Sequence, residues 1–293
     1  MGPADKRKVL RKLLNQNKTF TIIGAFDPIC AKLVEKHGLP CTYVSGSATA
    51  ATAFGLPDLG LTSLIENAYV AGNIAHAVSI PTIADADTGY GNSSQIPKTI
   101  TTFEDQGLAG IHIEDQVFPK RCGHLEGKEV ISEKEMAKKI KSAVQSRKDP
   151  NFVITARVDS YSVHGFDDML HRVCAYADAG ADMIFPEAMT SLSEYQKVCQ
   201  ALKIPVLANM TEFGKTPYFT AKQFSEVGVR AVLFPLSVYR ATLKTMDQAI
   251  QSIQHHGTQK QLLPQMMTRR EFYDLIDYEA FETLLTTEQA KKK

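Results

Sequence analysis

The residues best suited to chemistry stand where apolar runs turn polar. Asp85 and Asp87 close the run PTIADAD, and Glu114 with Asp115 closes AGIHIEDQ. Two residues apart on a strand, Asp85 and Asp87 face one way. With Glu114 from the next strand they gather three carboxylates at one corner. At about 4 Å and an effective dielectric near 20, two unit charges repel by roughly 4 kcal/mol. Such a cluster takes up protons or binds a cation. All-oxygen ligands with room for water and substrate suit Mg²⁺ better than Zn²⁺. Asp-x-Asp is a common dipeptide pattern, so it gains weight only from its companions.

The second constellation is Lys120-Arg121-Cys122-Gly123-His124. Neighbouring cations favour the thiolate, the reactive form of cysteine, and glycine allows a ligand close to the backbone. Zinc held by Cys122 and His124 is the plainer alternative, but no second Cys/His pair at ligand spacing supports it. Arg157 follows the apolar run VITA at a strand end, where it is placed to fork onto a carboxylate; Arg240 and Arg269 read equally well as surface cations. Gly89-Tyr90-Gly91 is only a fragment of a phosphate loop.

The elements that must position these residues are regular. Strands are expected at Phe20–Asp27, Cys41–Ser47, Pro81–Asp87, Ala109–Gln116, Phe152–Asp159, Ala181–Glu187, Pro205–Thr211 and Arg230–Ser237. Helical periodicities lie between them. Ser132-x-x-Glu135 and Thr220-x-x-Gln223 are capping boxes, and Gly38, Gly180 and Gly228 mark helix stops. Near-continuous apolar strands alternating with helices give a parallel sheet covered on both faces. Eight such units in succession predict a (β/α)8 barrel.

Strand starts are 21, 40, 28, 43, 29, 24 and 25 residues apart. The long intervals after the second and fourth strands require added loops or helices. The polar strand ends carry Asp27, Ser45, Asp85, Asp87, Glu114, Asp115, Arg157, Asp159, Glu187, Asn209 and Thr211. In a parallel barrel all of them meet at the C-terminal face, where barrel active sites sit. Any one of them also reads as an ordinary turn residue.

The 293 residues are 44% hydrophobic and 22% charged, a globular composition read as one barrel domain over 1–293. A helical extension over 258–293 opens with the capping box Thr268-x-x-Glu271 and ends in a solvated AKKK tail. Thirty-three Lys+Arg against 32 Asp+Glu give a net charge of +1, which offers no clustered basic surface for nucleic acid. No apolar run approaches a membrane span of about 18 residues. The N-terminus lacks a secretory core; its basic, weakly amphipathic pattern is a first helix packed on the domain, or else a membrane-surface helix. Five cysteines without a CxxC pair point to reduced thiols in the cytoplasm. Cys30, Cys41, Cys174 and Cys199 read as packing residues.

The segments YVSGS, IADADTGYGN, IEDQ…PKRCGH, FPEA, ANMTEFGKTP and FPLSVYRA with GTQK…TRREFYD resemble the isocitrate lyase/phosphoenolpyruvate mutase superfamily over nearly the whole chain. The KRCGH loop resembles the lyase branch, and the chain lacks the large insertion of isocitrate lyases proper. The resemblance implies a metal site of Asp85 and Asp87 with Glu114 through water, holding Mg²⁺ or Mn²⁺. It implies substrate contacts from Ser45, Gly46, Ser47, Cys122, Gly123, Arg157, Glu187, Asn209, Met210, Thr211, Arg240 and Arg269. Lys120 and His124 complete a mobile loop, in which Leu125 stands where several relatives carry Arg or Met. It also implies a homotetramer with a terminal helix exchanged between subunits.

The implied reaction splits a small tricarboxylate, 2-methylisocitrate, into pyruvate and succinate, with Tyr43 as base and Cys122 as the acid that protonates the succinate carbanion. Phe185, Leu233 and Pro235 are the apolar set expected around the substrate's methyl group. Two alternatives compete: an oxaloacetate decarboxylase- or phosphonomutase-like activity, which needs no thiol acid, and a catalytically silent scaffold barrel.

Overall fold

The computed structural model describes residues 1–290; the last three lysines of the expected tail lie outside the described residues. The chain forms two compact units, 1–238 and 239–293, so the division falls ahead of residue 258.

The first unit is the predicted barrel. Its strands are β1 (Phe20–Ala25), β2 (Thr42–Val44), β3 (Thr82–Asp85), β4 (Gly110–Glu114), β5 (Val153–Val158), β6 (Met183–Pro186), β7 (Leu207–Asn209) and β8 (Ala231–Phe234). All neighbours pair in parallel. β1 joins β8, and a parallel bridge from Ile184 to Val206 closes β6 onto β7. The helices of this unit are α1 (Pro3–Asn15), α2 (Pro28–Lys36), α3 (Gly46–Phe54), α4 (Leu64–His76), α5 (Ile96–Asp105), α6 (Glu133–Ser146), α7 (Tyr161–His164), α8 (Phe166–Asp178), α9 (Leu192–Ala201) and α10 (Ala221–Glu226).

The strands are shorter than their apolar runs suggest. Cys41–Ser47 is only three residues of strand: Ser45 becomes the N-cap of α3, its hydroxyl accepting the Ala48 N–H, so Gly46 and Ser47 are helical. Asp27 likewise caps α2, accepting from Cys30 N at 2.7 Å, and its turn role outcompetes a site role. The long intervals hold the extra helix α3 and the loop 115–132.

Side-chain alternation splits the sheet into two cores. Ile22, Tyr43, Ile83, Val153, Met183, Phe185, Leu207 and Leu233 fill the barrel. Val44, Ala84, Ile111, Ile113, Ile154, Val158, Ile184 and Val232 pack under the helices. Leu10 and Leu14 of α1 join the inner core, each buried leucine contributing roughly 1.5–3 kcal/mol. Three basic residues of α1 are spent on backbone carbonyls and carboxylates of the barrel: Lys6 Nζ on Ala75 O at 2.6 Å, Arg7 Nη2 on Glu104 O at 2.6 Å, Arg11 Nη1 on Asp182 Oδ1 at 2.7 Å. This is the packed first helix. No helix among the described residues is long and apolar enough to cross a membrane.

The second unit carries most of α11 (Ser237–His256), a 3-10 turn (Lys260–Gln265), α12 (Arg269–Leu275) and α13 (Tyr278–Ala290). Thr268 and Glu271 form the expected capping box.

Candidate active site

β3 ends at Asp85, and Asp87 lies beyond it in the left-handed region at φ 47°. The two aspartates are therefore not same-face strand neighbours. A tight turn joins them instead, the Asp87 N–H donating to Asp85 Oδ1 at 2.9 Å. The Gly46 N–H donates to Asp85 Oδ2 at 3.3 Å, and a Cβ on Gly46 would stand 2.9 Å from that oxygen. Glu114 ends β4 inside the barrel, fully buried, with neither carboxylate oxygen hydrogen-bonded.

Burial and crowding drive these carboxyls apart. Burial is the largest effect on all three. It pushes Asp87 up to about 6 against the pull of Lys120, with Asp85 adding repulsion. It lifts Glu114 well above the carboxylate range against the pull of Arg157 and Lys120. In Asp85 it is outweighed by His112, Lys120 and Arg157, which hold the group down to about 2. Lys120 Nζ sits 2.6 Å from Asp87 Oδ1 and pairs also with Asp58.

Buried carboxylate oxygens without hydrogen bonds, as in Glu114, are what a hard cation requires. Among the described residues no three His, Cys, Asp or Glu side chains are arranged to enclose an ion. An ion here would take few protein oxygens and keep water or substrate in its other positions. That suits Mg²⁺, which dehydrates reluctantly.

Opposite this cluster, Arg157 projects from β5, buried. Its fork closes on Asp159, Nε to Oδ2 at 2.9 Å and Nη2 to Oδ1 at 3.2 Å, so it is not an empty fork waiting for substrate. Nη2 also lies 3.1 Å from Glu187 Oε2, and Nη1 lies 3.4 Å from Glu114 Oε2. Glu187 also accepts from Asn209 Nδ2 at 3.1 Å. Burial would raise the Glu187 carboxyl, but Arg157 and then His124 hold it well below the usual range.

The loop after β4 is tied at its base. Val117 N–H donates to Glu129 O and Ile131 N–H to Asp115 O, each at 2.9 Å. Gln116 exchanges two 2.9 Å bonds with the Arg121 backbone. The loop reaches into the pit at several points. Lys120 enters the aspartates. The Gly123 Cα lies so close to Arg157 and Glu187 that a Cβ would meet Nη2 at 2.3 Å. His124 Nε2 faces Glu187 Oε1 at 3.0 Å. Its Nδ1 accepts the Lys215 N–H at 3.0 Å, so the ring proton belongs on Nε2. Cys122 is exposed. Of its neighbours in sequence, Lys120 is turned to carboxylates and His124 to Glu187, so their proximity along the chain is not the environment expected from it.

Tyr43 lies deeper, its hydroxyl 2.7 Å from His112 Nε2. Burial first, and Asp85 next, raise its pKa well above 10. Burial lowers His112 to about 4. Tyr43 therefore rests as a neutral phenol. Phe185, expected at a methyl pocket, is already packed on both sides, with Arg157 5.2 Å over its ring and His112 edge-on at 5.4 Å. Leu233 belongs to the same inner core. Ser45 and Thr211 are buried at the pit. The Met210 side chain packs in the outer core instead, and its N–H donates to Leu233 O at 2.7 Å. Arg240 and Arg269 belong to the second unit, on α11 and α12.

Sequence reasoning missed Asp58, His112 and Lys128, and gave Asp159 only as a strand end. His112 was within reach, since it shares a face of β4 with Glu114. The others are tertiary partners with no periodic signature.

A parallel barrel whose C-terminal mouth holds an acid cluster, a buried arginine and a cysteine-bearing loop defines a class: (β/α)8 barrels with a charged, carboxylate-lined pit at the C-terminal ends of their strands. Within that class the chain belongs to the phosphoenolpyruvate phosphomutase family, whose family model matches residues 10–254. It is 45% identical over 274 residues to a 2-methylisocitrate lyase of Aeropyrum pernix, covering 94% of this chain and 88% of that one. It is 42% identical to a 2-methylisocitrate lyase of Vibrio cholerae, covering 90% and 88%. Among solved structures, 2,3-dimethylmalate lyase, a PEP mutase/isocitrate lyase superfamily member, matches with a TM-score of 0.89 at 33% identity, over 99% of this chain and 96% of that one. Phosphonopyruvate hydrolase in complex with oxalate and Mg⁺⁺ matches with a TM-score of 0.86 at 27% identity, over 97% and 98%.

Proposed function

We propose that this protein is a carbon–carbon lyase that cleaves 2-methylisocitrate to pyruvate and succinate. The observation that supports it most is the seating of Gly123 against Arg157 and Glu187, beside a thiol that a decarboxylase or phosphonomutase would not need. Retained pairing of Asp85, Asp87, Glu114 and Arg157 also argues against a silent barrel. Mg²⁺, or Mn²⁺ in its place, would be held by Asp85 and Asp87 with Glu114 through water, polarising the substrate hydroxyl and its neighbouring carboxylate.

The protein's own groups divide the remaining work. The first turn of α3, with Ser45, Gly46 and Ser47, offers a helix N-terminus to a carboxylate. Arg157, His124, Asn209 and Thr211 supply donors where negative charge develops, with Glu187 orienting Arg157 and Asn209. The hydroxyl proton leaves, the carbon–carbon bond breaks, and its electron pair stays on the succinate fragment. Cys122 donates the proton that completes succinate. Tyr43, as a neutral phenol on His112, accepts the hydroxyl proton only by passing its own to His112 Nε2. Lys120 keeps the aspartates paired while the loop is seated. Arg240 and Arg269 remain proposed substrate contacts.

The proposal extends to a cytoplasmic homotetramer with an exchanged terminal helix over the 258–293 extension. Phe281, Leu284 and Leu285 of α13 are each about three-fifths exposed, as a face awaiting another copy would be.

Incubating the protein with Mg²⁺ and a panel of 2-hydroxy tricarboxylates, then identifying the keto acid, tests the function. Pyruvate from 2-methylisocitrate, formed at a kcat/KM at least about tenfold above glyoxylate from isocitrate, is expected. Absence of pyruvate refutes it.

A further inference from the structure

Lys128 has no role assigned in the reaction, yet its side chain is only 1% exposed. Burying an ammonium is costly unless it is paired and hydrogen-bonded, and both partners are present. Nζ donates to the Gly123 carbonyl at 2.5 Å and lies 3.0 Å from Asp159 Oδ1. The first contact staples the loop back onto itself, with residues 124–127 arched between. The second fixes that arch to the barrel.

Asp159 is a firm anchor. Its oxygens also receive the Arg157 fork. Its N–H donates to Asp115 Oδ1 at 2.8 Å, and Asp115 is held in turn by the Tyr176 hydroxyl at 2.9 Å and Arg172 at 3.3 Å. One carboxylate thus serves two cations, the loop's Lys128 and the pit's Arg157. When the loop seats, the Gly123 carbonyl and Asp159 are satisfied together. When it lifts, Asp159 keeps Arg157 as its only cationic partner.

We propose that Lys128 is a positioning residue that latches the Cys122 loop over the acid pit through Gly123 and Asp159, and so couples loop closure to the placement of Arg157. The turnover half of this inference rests on the lyase reading; the latch itself does not.

The test uses the full-length protein and the variants Lys128→Met and Lys128→Arg. Hydrogen exchange of the loop peptide 117–131 is followed without substrate. Then kcat and KM for pyruvate release are measured with 2-methylisocitrate and Mg²⁺. In Lys128→Met, loop exchange should quicken several-fold and kcat should fall about 10- to 100-fold, with KM within about threefold of the wild type. Lys128→Arg, which can reach both partners, should recover most of both. If the methionine variant melts early, Lys128→Gln, a neutral side chain with donors, gives the same readouts. Unchanged loop exchange overturns the latch, and so does a kcat loss that arginine fails to recover. Should the wild type release no pyruvate, the lyase reading falls while the exchange comparison still decides the latch.

Discussion

Gly123→Ala isolates what the loop must do. Gly123 is not among the left-handed glycines, so alanine there tests space rather than backbone strain. Its Cβ would lie 2.3 Å from Arg157 Nη2 and 2.5 Å from Glu187 Cγ. Comfortable contact begins at about 3.5 Å, so something must retreat by about 1 Å. Neither side chain is free to do so. Arg157 is forked onto Asp159 with Phe185 under its guanidinium, and Glu187 is held by Asn209. The loop should yield instead, lifting Cys122 with it. Misplacing a reacting group by about 1 Å can cost about 100-fold in rate, or about 2.7 kcal/mol of barrier. The expected outcome is a kcat about 100-fold down in the keto-acid assay, with a thermal midpoint like that of the wild type because the barrel core is untouched. Leu125→Ala, at a loop position 58% exposed, should stay near wild type. A Gly123→Ala enzyme turning over within twofold of the wild type would refute the seated-loop reasoning.

Other expectations read different parts of the site. Cys122→Ser should melt normally, since Cys122 is exposed, yet lose about 10²–10⁴-fold in turnover as general acids do; undiminished turnover removes Cys122 from the chemistry. The metal-free cluster stores protons, because Asp87 titrates at about 6 and Glu114 well above the carboxylate range. Mg²⁺ stabilises the ionised forms, so its binding should release protons and weaken as pH falls through about 6. Calorimetric titrations in buffers of different ionisation enthalpy read that release; none at pH 6.5, or full activity after exhaustive EDTA dialysis, contradicts the assignment. Phe185→Trp should overpack a ring in contact with Arg157 and His112, at about 1–3 kcal/mol. Thermal melts should show a midpoint lowered by several degrees; an unchanged midpoint with altered substrate choice would restore the pocket.

What was legible in the sequence follows from what leaves a periodic trace. Eight buried parallel strands read as eight apolar runs, and their C-terminal ends as the first polar residues, because a strand covered on both faces has no polar position until it stops. That logic located Asp85, Glu114, Arg157, Glu187 and Asn209. It overran each strand, because it cannot tell a strand's last residue from a turn that carries the same polar type. Ser45 looked like the end of β2 and proved to cap α3; Asp87 looked like strand and proved to be a left-handed turn. Asp27 met the same criterion and went to a helix cap.

The loop resisted reading for a different reason. Its residue types, KRCGH, announced chemistry, but ion pairing among Lys120, Asp58, Lys128 and Asp159 is fixed by closure of the barrel, not by spacing along the chain. Lys120 stands two residues before Cys122, yet its charge is spent on Asp58 and Asp87. The electrostatics of Cys122 are thus set by where the loop lands. Position in a fold decides which charges a side chain meets, and for a reactive residue on a closing loop that position is itself a conformational variable. A barrel can therefore keep its acid pit ready while the loop is away, and under the proposed mechanism the fit at Gly123 becomes a condition for the chemistry at Cys122.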